Sequence, residues 1–144
     1  MPVVGITLLI GLPGSGKTSL ARKMAAEDPS VRIIDDPRTK ADLVVPDDGT
    51  DVRLAICDPM LCDPESSERA DAVIAELFPN ATVERLFFAA DPDACARNAR
   101  TRADGRLVEA LTKRLAARYV IPDGVEAIPI PNATPRGDEK KTDP

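Results

Sequence analysis

The feature of this chain that most constrains its fold is one octapeptide, residues 11–18. It reads Gly11-Leu12-Pro13-Gly14-Ser15-Gly16-Lys17-Thr18 and matches in full the phosphate-binding pattern G-x-x-x-x-G-K-[ST]. The glycines let the backbone curl so that successive N–H groups point at phosphate oxygens. In such a loop Lys17 reaches the β- and γ-phosphates, and the hydroxyl of Thr18 takes one position on Mg²⁺. The octapeptide therefore predicts that these eight residues bind a nucleoside triphosphate.

The segments on either side of the octapeptide have the character that such a loop requires. Residues 3–10 form a short apolar run rich in β-branched side chains, which is typical of a buried parallel strand. After the loop, Leu20 and Met24 recur at helical spacing, so the phosphates are expected at a helix N-terminus. We expect the loop to face solvent, so that the fold does not depend on Lys17.

The rest of the chain alternates between strand-like and helix-like segments, which predicts the α/β class. We expect a three-layer fold with a mostly parallel, five-stranded sheet flanked by helices. Residues 1–131 are predicted to form one domain, and residues 132–144 a disordered tail, because that stretch is polar and has no apolar periodicity. Further strands are predicted at 31–34, 52–57, 83–89 and 125–130, and helices near 15–27, 64–78, 92–103 and 105–118.

Aspartates follow the predicted strands, at the sheet edge where parallel α/β proteins bind ligands. Asp58 comes after a largely apolar strand and resembles the Walker B carboxylate, so Thr18 and Asp58 are the predicted Mg²⁺ ligands. Asp35 and Asp36 follow the second strand, and one of the two is the predicted base that accepts a proton from an acceptor hydroxyl. The sequence does not decide between them.

Two further aspartates are expected to be structural. Asp91 precedes a proline at the end of the fourth predicted strand, where an Asp-Pro pair stops a strand and opens a turn. Asp91 or Asp93 is expected to cap the following helix, and Asp63 to cap the helix near 64–78.

Basic side chains are concentrated in residues 97–118, which carry seven Lys or Arg against two acidic residues. Arg97 and Arg100 lie three residues apart on one helix face, and Arg102 follows closely. Arginine supplies planar, bidentate donors for phosphate, so these three are predicted to neutralise a transferring phosphoryl group. For Lys113, Arg114 and Arg118, a solvated helix face with ion-pair partners is the alternative interpretation.

Composition limits the remaining possibilities. The net charge is −5, which argues against nonspecific binding to nucleic acid. The chain has no histidine, so a general base would have to be a carboxylate, and a zinc site is not expected. Three cysteines, an odd number, suggest a reducing compartment. No apolar run approaches the roughly 20 residues of a membrane span. We therefore expect a cytoplasmic location and no membrane partner.

These residues together resemble a small P-loop kinase of the polynucleotide-kinase and zeta-toxin branch. A narrower resemblance is to bacteriophage kinases that act on 5-hydroxymethyl-deoxyuridine within DNA. It is carried by Asp-Pro phrases after strand-like segments and by an Asn and Arg that follow the last of them: 33–37, 55–59, 61–64, 87–92, Asn98 and Arg102. The resemblance implies a P-loop NTPase fold, ATP as donor, modified DNA as acceptor, and the host cytoplasm as location.

Two other functions stay open at this point. One is a kinase whose acceptor is a nucleoside, a nucleotide or a small metabolite. The other is an NTPase switch, although no base-reading N-K-x-D motif is present. Residues 38–51 are too few and too polar for the helical acceptor-binding insert of nucleoside monophosphate kinases, which favours an acceptor that is either large or very small. The nucleotide base preference and the oligomeric state are not determined by these features.

Overall fold

A computed structural model of the chain describes residues 3–37, 39–45, 49–99 and 105–130. In these ranges four parallel strands form one sheet in the order β2-β3-β1-β4. The strands are β1 (Val3–Ile10), β2 (Val31–Asp35), β3 (Val52–Cys57) and β4 (Thr82–Phe87). The helices are α1 (Lys17–Glu27), α2 (Pro64–Leu77), α3 (Pro92–Ala99) and α4 (Gly105–Ala116), with short 3₁₀ helices at Lys40–Leu43 and Pro59–Cys62.

The two central strands carry most of the buried apolar surface. Leu8 and Leu9 of β1 and Leu54 and Ala55 of β3 are each at most 1% exposed. Adjacent residues of a strand point to opposite faces of the sheet, so both faces of these strands are covered. The edge strand β4 is different, since its residues from Thr82 to Arg85 are exposed. The core therefore lies around β1 and β3.

Helices cover both faces of the sheet because the two crossovers that carry α-helices run in opposite directions. β1 is connected through α1 to β2 at one edge of the sheet, and β3 is connected through α2 to β4 at the opposite edge. Crossovers between parallel strands are almost always right-handed. Two right-handed crossovers of opposite direction put their helices on opposite faces. The α/β class, the parallel sheet and the flanking helices are thus as predicted.

The predicted fifth strand at 125–130 is wrong. In the described ranges this segment makes a single parallel bridge, between Phe88 and Ile128. The segment turns just before the bridge, where the Val125 N–H bonds to the Pro122 carbonyl at 3.3 Å. The strand it faces turns just after the bridge, because the N–H of Asp91 bonds to the carbonyl of Ala89. Because each of the two segments turns next to the bridge, neither is extended for long enough to form a ladder of β-pairs.

The helices differ from the sequence prediction mainly at their ends. The first helix begins at Lys17 rather than at residue 15, and α3 is described as far as Ala99. The 3₁₀ helix Lys40–Leu43 was not predicted; a capping box between Thr39 and Asp42 closes its first turn. The predicted tail at 132–144, and Arg100 and Arg102, lie outside the described residues. Within the described ranges, no helix combines the length and apolar character that crossing a bilayer requires.

A tyrosine after α4 ties that helix to the centre of the sheet. The hydroxyl oxygen of Tyr119 lies 2.6 Å from the carbonyl oxygen of Phe88 and 3.1 Å from that of Ile10. Both carbonyls belong to the carboxyl ends of neighbouring strands. Burial raises the pKa of Tyr119, so its hydroxyl keeps its proton and remains a donor. This contact fixes the last helix beside the edge where the loop begins.

We expect Tyr119→Phe to lower the free energy of unfolding by about 1–2 kcal/mol, because two partly buried carbonyls lose a donor. Urea denaturation followed by circular dichroism measures the change. Thr82→Val is the matched control, since its hydroxyl lies 3.5 Å from the Val4 carbonyl at an exposed edge. Equal small losses in both variants would contradict the role given to Tyr119.

Candidate functional site

The loop of residues 11–16 connects β1 to α1 through a tight reversal. Gly14 and Gly16 have φ values of 84° and 100°, in the left-handed region that favours glycine. Gly16 is the N-cap of α1, and no side chain caps that helix. Its first turn also lacks an acidic residue, so the partial positive charge of the helix N-terminus is not neutralised there. The loop therefore presents backbone donors and a positive field at the carboxyl edge of the sheet.

Lys17 is folded back into the loop. Its Nζ donates hydrogen bonds to the carbonyl oxygens of Gly11 at 2.8 Å and Leu12 at 2.9 Å, and to Ser15 Oγ at 3.3 Å. The side chain is 7% exposed, and Leu12 and Ser15 are fully buried. The expectation that the loop faces solvent is wrong for these residues. Phe88 lies next to Gly11, and Asn98 of α3 bonds to Gly14, so neighbouring elements pack against the loop.

Close packing also explains why residue 11 is glycine. A Cβ at this position would lie 2.5 Å from Ser15 Oγ and 2.9 Å from Phe88 Cβ. Both distances are shorter than a Cβ contact allows, so the loop or the strand would have to shift.

We expect Gly11→Ala to destabilise the protein by about 1–3 kcal/mol through this overlap. The double variant G11A/S15A removes the nearer contact, so it should be more stable than the sum of the two single variants implies. Thermal unfolding of the four proteins measures the coupling. Strict additivity would show that the Ser15 hydroxyl does not limit the space at residue 11.

A cavity of ≈ 370 Å³ opens beside the loop. Lys17 and Thr18 line it from α1, and Asp35 lines it from the end of β2. The structure thus brings together the predicted lysine, the predicted metal-binding hydroxyl and one of the two candidate bases. The remaining lining residues come from the loop, the exposed side of α1 and the residue after Asp58: Pro13, Gly14, Gly16, Ser19, Arg22 and Pro59.

The two candidate bases differ in their surroundings. Asp35 is the last residue of β2 and is exposed. Asp36 has a φ of 54°, the one described non-glycine residue in the left-handed region, and its N–H bonds to the Cys57 carbonyl at 2.7 Å. Asparagine and aspartate tolerate this conformation better than most residues, and it is often found at functional sites. The choice between the two stays open.

Asp58 follows the last residue of β3 and lies close to Lys17. Its Oδ1 accepts the Met60 N–H at 2.9 Å, so it is the N-cap of the second 3₁₀ helix. Burial raises the pKa of Asp58, and the nearby carboxylates of Asp36 and Asp35 raise it further, while Met60 and Lys17 oppose the change. Asp58 lines a second cavity together with Leu8 of β1 and Ile56 of β3. The pairing of Thr18 with Asp58 as Mg²⁺ ligands stays a prediction.

The donor set near the loop suits Mg²⁺ in its chemistry. This ion prefers oxygen ligands and keeps several waters, with one or two carboxylates and the phosphates of a nucleotide. Thr18 and Asp35 share one cavity, and Asp58 ends the neighbouring strand. Among the residues that the structure describes, no group of three or more acidic or thiol side chains is arranged to hold a metal alone.

The predictions for the two structural aspartates are confirmed. Asp91 Oδ1 accepts the Ala94 N–H at 3.0 Å at the start of α3, and Asp63 Oδ2 accepts the Ser66 N–H at 3.1 Å at the start of α2. The Ser66 N–H lowers the pKa of Asp63, and Arg118 adds to this effect. Arg118 also ion-pairs with Glu65. Arg118 thus has ion-pair partners as the ion-pair interpretation expected, but it lies after α4 and its partners lie at the start of α2.

The helix α3 contacts the loop directly. Asn98 Nδ2 donates a hydrogen bond to the Gly14 carbonyl at 2.9 Å. Arg97 precedes it and is exposed. The sequence analysis singled out α3 because of its arginines. It did not predict that Asn98 would connect this helix to the loop. An amide at the end of a short helix gives no pattern that predicts a partner 84 residues away.

All three cysteines are buried and free. Burial raises the pKa of Cys57 and Cys95 to about 11 and that of Cys62 to about 12. Near neutral pH they are therefore protonated thiols of low reactivity. They act as small core residues beside the loop.

Comparisons with known proteins add a relative and a similar fold. No protein-family model matches the chain. The chain is 30% identical over 107 residues to the uncharacterized protein R277 of Acanthamoeba polyphaga mimivirus, covering 70% of this chain and 75% of that protein. The structure of this chain is similar to the crystal structure of APE1195, with a TM-score of 0.51 and 17% sequence identity. The match covers 92% of this chain and 87% of the other. The second likeness concerns the fold alone.

Proposed function

We propose that this chain, which belongs to the same family as protein R277 of Acanthamoeba polyphaga mimivirus, is an ATP-dependent kinase with a P-loop NTPase fold. The observation that carries the proposal is the cavity beside the loop. There Lys17, Thr18 and Asp35 meet at a helix N-terminus with left-handed glycines at positions 14 and 16. A lysine, a hydroxyl and a carboxylate around backbone donors are the groups that a Mg²⁺-bound triphosphate requires.

The proposed reaction moves one phosphoryl group between two oxygens. The acceptor hydroxyl oxygen forms a bond to the γ-phosphorus, and the bond from that phosphorus to the β–γ bridging oxygen breaks, so ADP leaves. The acceptor proton passes to a carboxylate, because the chain has no histidine. Asp35 and Asp36 are the candidates for this base, and Mg²⁺ would use Thr18 with a nearby aspartate.

Lys17 would have to leave its present partners to reach a phosphate. Its ammonium bonds to the carbonyls of Gly11 and Leu12, which are neutral acceptors. Hydrogen bonds between two charged groups are stronger than those to a neutral oxygen, so a bound triphosphate would compete well for this side chain. Arg97 on α3, with Arg100 and Arg102 beyond the described residues, is proposed to neutralise charge on the transferring group.

The preferred acceptor is the hydroxymethyl group of 5-hydroxymethyluracil in DNA. This part of the proposal rests on the resemblance of residues 33–37, 55–59, 61–64 and 87–92, with Asn98 and Arg102, to phage kinases of that specificity. The same resemblance implies that the protein acts in the cytoplasm of a host cell. Nucleosides, nucleotides and small metabolites are the competing acceptors, and the assay below separates them.

We expect label from γ-labelled ATP, with Mg²⁺, to appear on DNA that contains 5-hydroxymethyluracil and not on plain DNA with free 5′ hydroxyls. Lys17→Ala should reduce the transfer rate by at least about a hundredfold, since the positive charge that would stabilise the phosphates is lost. Lys23→Ala removes an exposed lysine from the same helix and should leave the rate unchanged.

The assay needs one structural check, because Lys17 is buried. Unfolding curves of the Lys17 variant should show a folded protein before its rate is interpreted. Label on nucleosides or 5′ ends would keep the kinase and change its acceptor. Release of free phosphate without any labelled acceptor would indicate an NTPase instead.

We expect Asp35→Asn and Asp36→Asn to differ by at least about tenfold in turnover, because only one carboxylate can take the acceptor proton. Each substitution removes a charge and preserves side-chain size. Single-turnover transfer under saturating ATP isolates the chemical step. Equal, small losses in the two variants would mean that neither aspartate is the base.

A further inference from the structure

A second cavity, of ≈ 400 Å³, lies between α2 and the 3₁₀ helix Lys40–Leu43. The sheet side of this cavity is formed by Leu8 and Ile56, which are almost fully buried. Val73 and Ile74 of α2 form the opposite side. These apolar walls surround a volume within the range of about 300–1,000 Å³ found for small-molecule sites. None of these residues belongs to the phosphate-binding pattern.

Polar groups of the cavity are few and lie on three different elements. Asp58 lies at the end of β3, between this cavity and the residues of the loop site. Thr39 and Lys40 are the N-cap and the first residue of the 3₁₀ helix, and Ser66 and Arg69 come from the first half of α2. An apolar interior with convergent polar groups is the usual composition of a ligand site.

The two cations of this cavity have different partners. Lys40 Nζ contacts both carboxylate oxygens of Glu76, at 3.0 and 2.9 Å, so its charge is balanced. Arg69 Nη2 donates to the neutral hydroxyl of Ser66 at 3.2 Å. A guanidinium with a neutral partner can take an anion without breaking an ion pair. Its planar donors suit a phosphate.

We infer that this cavity is the acceptor site and holds a single nucleobase, with Arg69 contacting the phosphate of the same nucleotide. The inference rests on the proposed kinase activity and assigns residues to its second substrate. Apolar walls accommodate the faces of the base, and Asp58 is the polar group at the end of the cavity nearest the loop. A base inside a duplex cannot enter such a site, so DNA would have to present it unpaired or flipped.

The placement of the cavity is consistent with transfer from the loop site. Leu8 and Ile56 are paired neighbours in β1 and β3, the strands that lead to the loop and to Asp58. An acceptor bound between α2 and this part of the sheet is therefore next to the carboxyl edge. Thr39, Lys40 and Leu43, which follow β2, supply one wall of the cavity.

Binding of 5-hydroxymethyl-2′-deoxyuridine 5′-monophosphate, measured by calorimetry without ATP, tests the inference. We expect Arg69→Gln to weaken the monophosphate at least tenfold and to leave the unphosphorylated nucleoside unaffected. Ala70→Phe fills the cavity and should weaken both ligands. Arg32→Gln is the matched control, because Arg32 is exposed on β2 and donates to the Pro29 carbonyl instead. It should bind both ligands as the unchanged protein does.

Three results would overturn the inference: no saturable binding to the unchanged protein, equal effects of Arg69→Gln on the two ligands, or loss of monophosphate binding in Lys17→Ala. The last would mean that the monophosphate occupies the loop site. Arg69 is on the surface, so its variant keeps the test valid if Ala70→Phe does not fold. MgATP binding is measured in parallel. Its absence, with the expected pattern for the monophosphate, would reject the kinase and retain the cavity as a nucleotide site.

Discussion

Parallel pairing of β1 with β3 and β4 is the constraint on which the rest of this structure depends. It brings the carboxyl ends of three strands to one edge, and each end continues into a functional or structural turn. β1 continues into the loop of residues 11–16, β3 into Asp58, and β4 into Asp91 and α3. The loop then takes its shape from its neighbours, because Phe88 limits space at Gly11 and Asn98 holds the Gly14 carbonyl.

Burial at this edge has opposite consequences for different groups. It keeps the three thiols and the Tyr119 hydroxyl protonated, so they serve as packing and as a donor. It also raises the pKa of Asp58, whose carboxylate is close to those of Asp35 and Asp36. A site with this much negative charge gains from a cation. Lys17 supplies one, and the proposed Mg²⁺ would supply another.

The carboxyl edge of the sheet has two cavities of different character, which a linear motif does not show. One contains Lys17, Thr18 and Asp35 and is lined largely by polar groups and backbone. The other is apolar, with Asp58 and Arg69 among its few polar side chains. A charged donor and an acceptor with an apolar face would each find a matching environment. Sequence reasoning paired Thr18 with Asp58, whereas the fold groups Thr18 with Asp35.

The sequence by itself determined the strand–loop–helix unit, the α/β class, the parallel sheet and the caps at Asp63 and Asp91. These follow from local patterns, since apolar runs, glycine positions and Asp-Pro pairs act within a few residues. Only the tertiary structure decided that Lys17 is buried, that residues 125–130 make one bridge instead of a strand, and that Arg69 lines a cavity with Leu8. Those outcomes depend on packing between residues far apart in the chain, which no local pattern encodes.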